Sequence, residues 1–201
     1  MNDMTILHEA RLDQVCAVLK ASGARRVLDL GCGAGALLFR LLNEPQFTDI
    51  VGMEQSPQRL AEARLMLADA LTAEAPRLRL LAASYTEPND ALIGFDAAAM
   101  VETIEHVPPT LLSQVEQNVF AHFRPQRLFM TTPNREYNPL LGMTPAQRRE
   151  PDHKFEWDRR KFRRWAIGVA ERHGYAVVFG GIGDPDPEMG QPTQTAMFSL
   201  R

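Results

Sequence analysis

The sequence predicts an α/β fold built on a largely parallel sheet, and three observations support this prediction. Short apolar runs typical of buried strands alternate with helical patterns along the 201 residues, as they do in βαβ units. A glycine-rich turn joins the first strand pattern to the next helix pattern. Hydrophobic residues make up 45% and charged residues 23% of the chain, the composition of a globular protein. At this length we expect a single domain over residues 1–201.

Each element is predicted from its own local pattern. Apolar runs of strand length, bounded by turn residues, predict seven strands over residues 26–30, 50–53, 78–82, 96–101, 127–131, 175–179 and 196–200. Apolar residues at helical spacing predict helices over residues 6–21 (within an N-terminal segment 1–24), 36–42, 57–71, 109–120 and 159–172. Ser56 with Pro57, and Asp158, are expected to begin two of these helices, and Gly174 to end the last one.

The turn after the first strand has glycine at every second position: Gly31, Gly33 and Gly35. Such a turn lets a ligand approach the backbone closely. Glu54 ends the second strand, where a carboxylate can accept hydrogen bonds from both ribose hydroxyls of an adenosine cofactor. Asp29 lies two residues before the first glycine and suits the ammonium group of S-adenosylmethionine, whereas it would repel a pyrophosphate. These features favour S-adenosylmethionine, with a dinucleotide (Ala36 completes a loose G-x-G-x-x-A) or a structural turn as the alternatives.

A cluster of two carboxylates and an imidazole follows the fourth strand. Glu102, Glu105 and His106 would share one face of a helix, and together they offer oxygen and nitrogen ligands for a divalent cation. A solvated helix face is the alternative. The position at the carboxyl end of a strand, where α/β proteins bind ligands, favours the metal site. His153 lies in a long connection over residues 132–157 and would complete the ligand set.

The net charge of the whole chain is −3, which by itself does not indicate a protein that binds nucleic acid. The positive charges are, however, distributed unevenly along the sequence. Residues 124–164 contain 11 of the 22 Lys and Arg and only five acids. Such a local basic surface can meet phosphates, although a solvated loop and helix face fits the same pattern. No apolar segment suggests secretion or a membrane span. Cys16 and Cys32 are expected to be free thiols in a reducing cytoplasm.

Three further motifs follow the glycine turn along the chain. In sequence order they are Glu102-Thr103-Ile104-Glu105-His106, Thr132-Pro133-Asn134-Arg135-Glu136-Tyr137-Asn138 and Asp152-His153-Lys154-Phe155-Glu156-Trp157. They resemble the small-RNA 3′-terminal ribose 2′-O-methyltransferases, the Hua-enhancer family of plants and animals, with bacterial relatives that act in RNA repair. The resemblance runs over about residues 12–198 and is nearest to the bacterial relatives. It implies a Rossmann-like class I methyltransferase fold with a seven-stranded, mostly parallel sheet.

The resemblance also implies an activity and a set of site residues. The family's metal ligands match Glu102, Glu105, His106 and His153, which would hold Mg²⁺ or Mn²⁺ against the 2′ and 3′ hydroxyls of an RNA 3′ end. Ser84 matches the position near the adenine of S-adenosylmethionine, although it also suits a strand-end cap. A protein with RNA end-healing kinase, phosphatase or ligase activity is the implied partner.

The loop after the fifth strand supplies candidates for the terminal-nucleotide pocket: Thr132, Asn134 and Tyr137. An ordinary Pro-Asn turn with a core tyrosine is the alternative. His8, His122 and His173 have no partner motif, so we expect surface or core positions for them.

The chain departs from the family pattern in three places. Glu87-Pro88-Asn89 stands where the bacterial pattern has Tyr-Arg-Asp, Glu54 replaces the commoner Asp, and Glu150 replaces a His. These changes leave the metal set intact and affect the expected cofactor and RNA contacts. Bacterial relatives carry this domain as the C-terminal half of a longer protein, so we expect either an excised domain or a free-standing enzyme.

The sequence leaves two other functions open. One is a metal-dependent methyltransferase that acts on a small diol or catechol. Such an enzyme would use the same cofactor and the same metal ligands but would not need a basic surface. A non-catalytic module of an RNA end-healing complex would use the fold for binding alone.

Overall fold

The computed structural model describes residues 3–144 and 146–201. One sheet of seven strands forms its centre: β1 (Arg26–Leu30), β2 (Asp49–Glu54), β3 (Leu78–Ala82), β4 (Ala97–Val101), β5 (Arg127–Pro133), β6 (Tyr175–Ile182) and β7 (Thr193–Leu200). Their order across the sheet is β3-β2-β1-β4-β5-β7-β6. β7 is antiparallel to both of its neighbours, and every other pair is parallel. The predicted seven-stranded, mostly parallel sheet is confirmed.

Helices cover both faces of the sheet: α1 (Asp3–Ala21), α2 (Ala36–Leu42), α3 (Pro57–Met66), α4 (Ala68–Leu71), α5 (Leu112–Val115) and α6 (Arg159–His173). α5 continues as a π-helix over Glu116–Phe123, and single 3-10 turns lie at Asp90–Leu92, Ile104–His106 and Pro109–Leu111. A longer 3-10 segment spans Arg135–Leu141. No helix in the described ranges is both long and apolar enough to cross a lipid bilayer.

Two apolar cores lie on opposite faces of the sheet. One is formed with α1 and α2 and contains Val15 and Phe47, both fully buried. The other is formed with the π-helix and α6 and contains Phe120, Phe162 and Phe198. Burial of this apolar surface on both faces is the main force that holds the parallel strands together.

The predicted helix ends are confirmed where a single residue determines them. The Ser56 hydroxyl accepts a hydrogen bond from the Arg59 N–H, and the Asp158 carboxylate accepts one from the Lys161 N–H at 2.7 Å. Gly174 has φ +75° after the last turn of α6, a conformation that costs glycine little.

Several predicted boundaries are wrong. The helix that begins after Ser56 ends at Met66 and resumes at Ala68, because Leu67 leaves helical geometry with φ −109° and is buried. The last two strands are longer than predicted, because β6 pairs with β7 from Tyr175 to Ile182. Strand pairing therefore extends across Gly180 and Gly181, which lie beyond the predicted strand 175–179.

Candidate active site

A cavity of about 560 Å³ opens at the carboxyl ends of the central parallel strands. Its walls come from the glycine turn after β1, the end of β2, the residues after β3 and β4, and one face of α1. The strand order reverses beside β1, with β2 on one side and β4 on the other. In α/β sheets such a switch point is the usual position of a ligand site.

The glycine turn is held by β2 and is packed against the segment after β4. The Met53 carbonyl accepts hydrogen bonds from the N–H groups of Gly31 at 2.8 Å and Cys32 at 2.9 Å. Gly31 has φ +82°, and a Cβ there would lie 2.2 Å from the Thr103 Oγ1. Gly33 also has a positive φ, +54°, but a Cβ there would meet no atom within 4 Å.

Replacing Gly31 with Ala should therefore reduce the free energy of unfolding by about 3 kcal/mol, since left-handed strain and a steric overlap both act there. Gly33→Ala is the matched control: it carries the strain without the overlap and should cost about 1 kcal/mol. Chemical denaturation of both variants measures these differences. Equal losses would show that Thr103 does not confine the turn.

Glu54 and Asp29 form the acidic part of this cavity. The Glu54 carboxylate accepts hydrogen bonds from the N–H groups of Gly33 at 2.9 Å and Ser56 at 2.8 Å, one on each oxygen. Asp29 is buried, and its Oδ2 has no hydrogen-bond partner among the described residues. Burial, with the charge of Glu54 as a second cause, raises the pKa of Asp29 to about 7. A buried carboxylate with an unpartnered oxygen fits the ammonium group of a bound ligand, as predicted for S-adenosylmethionine.

Three predicted metal ligands come together beyond β4. Glu105, His106 and His153 each offer a ligand atom, and these atoms lie within 4.8 Å of one another. Glu105 is completely buried; its Oε2 accepts a hydrogen bond from Thr132 at 3.0 Å, and its Oε1 has no partner in the described ranges. Burial and the charge of Glu102 raise the pKa of Glu105 well above its ordinary value. A bound cation would satisfy this oxygen and this charge, so the donor set fits a divalent metal.

Both histidines are oriented by carboxylates. His106 Nδ1 lies 3.0 Å from Asp152 Oδ2, and His153 Nδ1 lies 2.7 Å from Glu156 Oε1. The two imidazole rings meet edge to face, with centroids 4.8 Å apart. When each Nδ1 donates to its carboxylate, each Nε2 carries the lone pair that a metal requires. Burial lowers the pKa of His106, which favours the neutral form that binds metals.

Glu102, the fourth predicted ligand, lies outside this group of three. It follows β4 in a left-handed conformation with φ +49°, and only Ile104–His106 form a 3-10 turn. The expectation that one helix face carries all three side chains is therefore wrong. Its Oε2 accepts a hydrogen bond from Arg11 Nη1 at 2.8 Å, and its Oε1 accepts one from Thr131 at 2.8 Å. Glu102 nevertheless lines the same cavity as Asp29 and His106.

The three predicted substrate residues do not line the cavity, and one of them contacts a candidate metal ligand. Thr132 is buried and donates to Glu105. Asn134 is buried, and its Nδ2 donates to the carbonyls of Met189 and Gln191. Tyr137 is half-buried in the 3-10 segment. Their contact with RNA stays a prediction. Ser84 does line the cavity, with its hydroxyl 2.7 Å from the hydroxyl of Thr86.

Several residues of the site were not singled out from the sequence. Arg11 and His8 come from α1, and His8 lines the cavity although no role is expected for it. Asp152 and Glu156 stand within a quoted motif, but their roles beside the histidines are visible only in the structure. Tyr85 donates a hydrogen bond to the Thr103 carbonyl at 3.0 Å and thereby holds the segment behind Gly31.

Comparison with known proteins assigns the fold and the family. Residues 28–126 match a family model described as a methyltransferase domain. The crystal structure of the methyltransferase domain of a bacterial Hen1 is 39% identical, with a TM-score of 0.86, over 96% of this chain and 100% of that one. The chain belongs to the Hen1 methyltransferase family. The fold of this Hen1-family chain is thus the predicted Rossmann-like class I methyltransferase fold.

Two further relatives are similar over most of this chain. The small RNA 2′-O-methyltransferase of Arabidopsis thaliana is 32% identical over 96% of this chain and 22% of its own length. The chain thus spans about a fifth of that curated relative. A chain in a structure of the Pnkp1/Rnl/Hen1 RNA repair complex is 19% identical, with a TM-score of 0.69, over 96% of this chain and 41% of that one. At that identity the likeness shows the fold alone.

Proposed function

We propose that this chain transfers a methyl group from S-adenosylmethionine to the 2′-hydroxyl of the 3′-terminal nucleotide of an RNA, with the help of a divalent metal. One observation carries the proposal. A group of buried Glu105, half-buried His106 and buried His153, with an unpartnered carboxylate oxygen on Glu105, adjoins the cavity that contains Asp29 and Glu54. Membership of the Hen1 family, whose plant relative is named for small RNA 2′-O-methylation, supports the choice of RNA.

The cofactor half of the site is supported by its charge pattern. S-adenosylmethionine supplies a methyl group on a positively charged sulfur. Asp29 would bind its ammonium group, Glu54 would accept hydrogen bonds from its ribose hydroxyls, and Ser84 would lie near its adenine. Both oxygens of Glu54 already accept one backbone hydrogen bond each. A carboxylate has about four acceptor sites, so room for the ribose remains.

Asp29 makes cofactor binding depend on pH. Its pKa is raised to about 7, so the carboxylate is protonated below that pH and gains its charge as pH rises through it. The ionised form attracts an ammonium group. Affinity for S-adenosylhomocysteine should therefore increase about tenfold from pH 6 to pH 8 and then level off. Calorimetric titration at a series of pH values measures this affinity. The Asp29→Asn variant should bind S-adenosylhomocysteine weakly, with an affinity that does not change with pH. An affinity independent of pH in the unmodified protein would exclude Asp29 as the titrating group.

The metal half of the site would hold Mg²⁺ or Mn²⁺ on Glu105, His106 and His153, with Glu102 as the fourth predicted ligand. A divalent cation supplies positive charge that makes a ribose hydroxyl more acidic. Asp152 and Glu156 hold the two histidines so that each Nε2 is left to bind. Two nitrogen donors among the ligands favour Mn²⁺ modestly over Mg²⁺.

A panel of RNA ends tests the proposed substrate. Labelled methyl transfer is measured to one RNA sequence that ends in a free 2′,3′-diol, in a 2′-deoxynucleotide or in a 3′-phosphate, with a catechol as a fourth acceptor. We expect transfer to the diol-ended RNA, and at least a hundredfold less to each of the others. Equal transfer to the 3′-phosphate or 2′-deoxy RNA would exclude the proposed acceptor. Preference for the catechol would favour a small-molecule enzyme, and cofactor binding without turnover would favour a binding module.

We further propose an RNA end-healing protein as partner and the cytoplasm as the location. In the related RNA repair complex, Hen1 is assembled with Pnkp1 and Rnl. The free thiols Cys16 and Cys32 are compatible with a reducing compartment. The single continuous sheet supports the prediction of one domain.

A further inference from the structure

The first half of α6 carries a row of exposed arginines whose role the proposed reaction does not explain. Arg160, Arg163 and Arg164 are all exposed, and their i, i+3, i+4 spacing places them on one side of the helix. We call these three residues the arginine face. They line a shallow depression of about 800 Å³ that Ile167 and Gly168 continue along the helix, with Glu171 at its far end.

Ion pairing separates the arginine face from the other basic residues of α6. Arg159 pairs with Glu136 at 2.5 Å, Lys161 lies 3.9 Å from Asp158, and Arg172 pairs with Glu116 at 2.6 Å. Among the acidic side chains of residues 5–144 and 146–201, none forms an ion pair with a residue of the arginine face. Like charges at this spacing oppose helix formation by a few tenths of a kcal/mol per pair. Three neighbouring arginines without ion-pair partners therefore do not stabilise the helix, and their positive charge favours the binding of an anionic ligand.

The donors of this face remain available. The Arg163 guanidinium lies 5.5 Å from the centre of the Phe179 ring, a contact that uses the plane of the guanidinium and leaves its N–H groups free. Arginine presents a planar fork of N–H donors that matches two oxygens of a phosphate. A second depression, about 500 Å³ and shared through Arg160, extends the surface toward the 3-10 segment Arg135–Leu141.

The arginine face is also close to the candidate metal site along the chain. The Lys154 N–H donates to the Glu105 carbonyl at 2.7 Å, so the segment that leads to α6 is attached to the metal cluster. Arg160 is seven residues after His153, so their Cα atoms are at most about 25 Å apart. A stacked strand has one phosphate about every 3.4 Å, so roughly seven nucleotides would span that distance.

We propose that the arginine face binds the phosphates of the RNA strand upstream of its 3′-terminal nucleotide. This inference rests on the proposed function, because the metal site fixes where the strand ends. The contacts act on the backbone, so they hold RNAs of different sequence equally and set the length of RNA that the enzyme prefers.

The test compares two triple variants of equal charge. In the first, Arg160, Arg163 and Arg164 are each changed to Gln, which keeps helix propensity. In the control, the exposed residues Arg25, Arg64 and Arg201 are changed to Gln. Arg25 directly precedes β1, at the amino end of the strand, whereas the cavity lies at the carboxyl ends of the strands. Thermal melting of both proteins checks that each is folded. Affinity for RNAs of about twelve nucleotides is measured against salt concentration, and methylation is compared on that RNA and on a dinucleotide.

We expect the arginine-face variant to bind the longer RNA at least about tenfold more weakly, with a salt slope reduced by about two, since each lost single-strand contact contributes roughly 0.7. Its methylation defect should be much smaller on the dinucleotide, and the control should behave as the unmodified protein. Equal binding and equal salt slopes in the two variants would overturn the proposal and leave an acidic protein as the alternative ligand. If the unmodified protein binds RNA at this face but methylates none, the proposed function fails and the surface stands.

Discussion

Glu105→Gln should reduce methyl transfer about a thousandfold while leaving the metal-free protein at least as stable as the unmodified one. Glu105 is completely buried, and one of its oxygens has no partner in the described part of the chain. Burial raises its pKa, so the ionised form destabilises the folded protein. Gln keeps the size and removes the charge that a cation needs. A thousandfold loss corresponds to about 4 kcal/mol of transition-state stabilisation.

Two measurements separate this effect from a folding defect. The melting temperature in EDTA should stay within a few degrees of the unmodified value or rise. Mn²⁺ should raise the melting temperature of the unmodified protein, since a ligand that binds only the folded state stabilises it, but not that of the variant. Glu150→Gln, an exposed change three residues before His153, is the matched control and should keep both responses. A Glu105→Gln protein that still responds to Mn²⁺ and methylates at full rate would place the metal elsewhere.

Glu156→Gln should weaken both the fold and metal binding. The Glu156 carboxylate accepts three hydrogen bonds: from His153 Nδ1 at 2.7 Å, from the Arg149 N–H at 2.7 Å and from Asn138 Nδ2 at 2.6 Å. These bonds lower its pKa, although its burial opposes that shift. The side-chain amide of Gln has one oxygen and one NH₂ group. Its NH₂ group would therefore face at least one of the three groups that donate to Glu156, and that hydrogen bond would be lost. We therefore expect a loss of about 2 kcal/mol in unfolding free energy and a 10- to 100-fold loss in Mn²⁺ affinity.

Asp152→Asn tests whether the Glu156 effect depends on burial. The Asp152 side chain is 68% exposed and orients His106 from the solvent side, so water can replace much of its contact. We expect less than a fivefold loss in Mn²⁺ affinity and no change in the melting temperature. If Asp152→Asn harms metal binding as much as Glu156→Gln does, burial is not what makes the His153–Glu156 pair important.

Local chemistry explains what was predictable from the sequence. Ser56, Asp158 and Gly174 determine helix ends through contacts within three or four residues, so their roles follow from residue type alone. The glycine turn likewise carries its own conformational requirement. The parallel sheet follows from the alternation of strands and helices, and its seven strands are those expected.

Contacts between distant segments explain what was not predictable. Arg11 and Glu102 are 91 residues apart, so no spacing rule connects them. The spacing of Glu102, Glu105 and His106 fits a helix, but Glu102 follows β4 with φ +49° and lies outside the short 3-10 turn Ile104–His106. The Asp152–His106 contact likewise joins two segments that are far apart in the sequence. These pairs decide how the ligands are oriented, and only the folded chain brings them together.

The central claim is that Glu105, His106 and His153 hold the metal on which RNA methylation depends. The most direct test is titration of the metal-free protein with Mn²⁺, in which electron paramagnetic resonance counts bound ions and methyl transfer to a diol-ended RNA is measured in the same samples. We predict one tightly bound ion per chain, methylation that rises with its occupancy, and loss of both in His153→Ala. Full methylation in EDTA, or an unchanged tight ion in His153→Ala, would contradict this account.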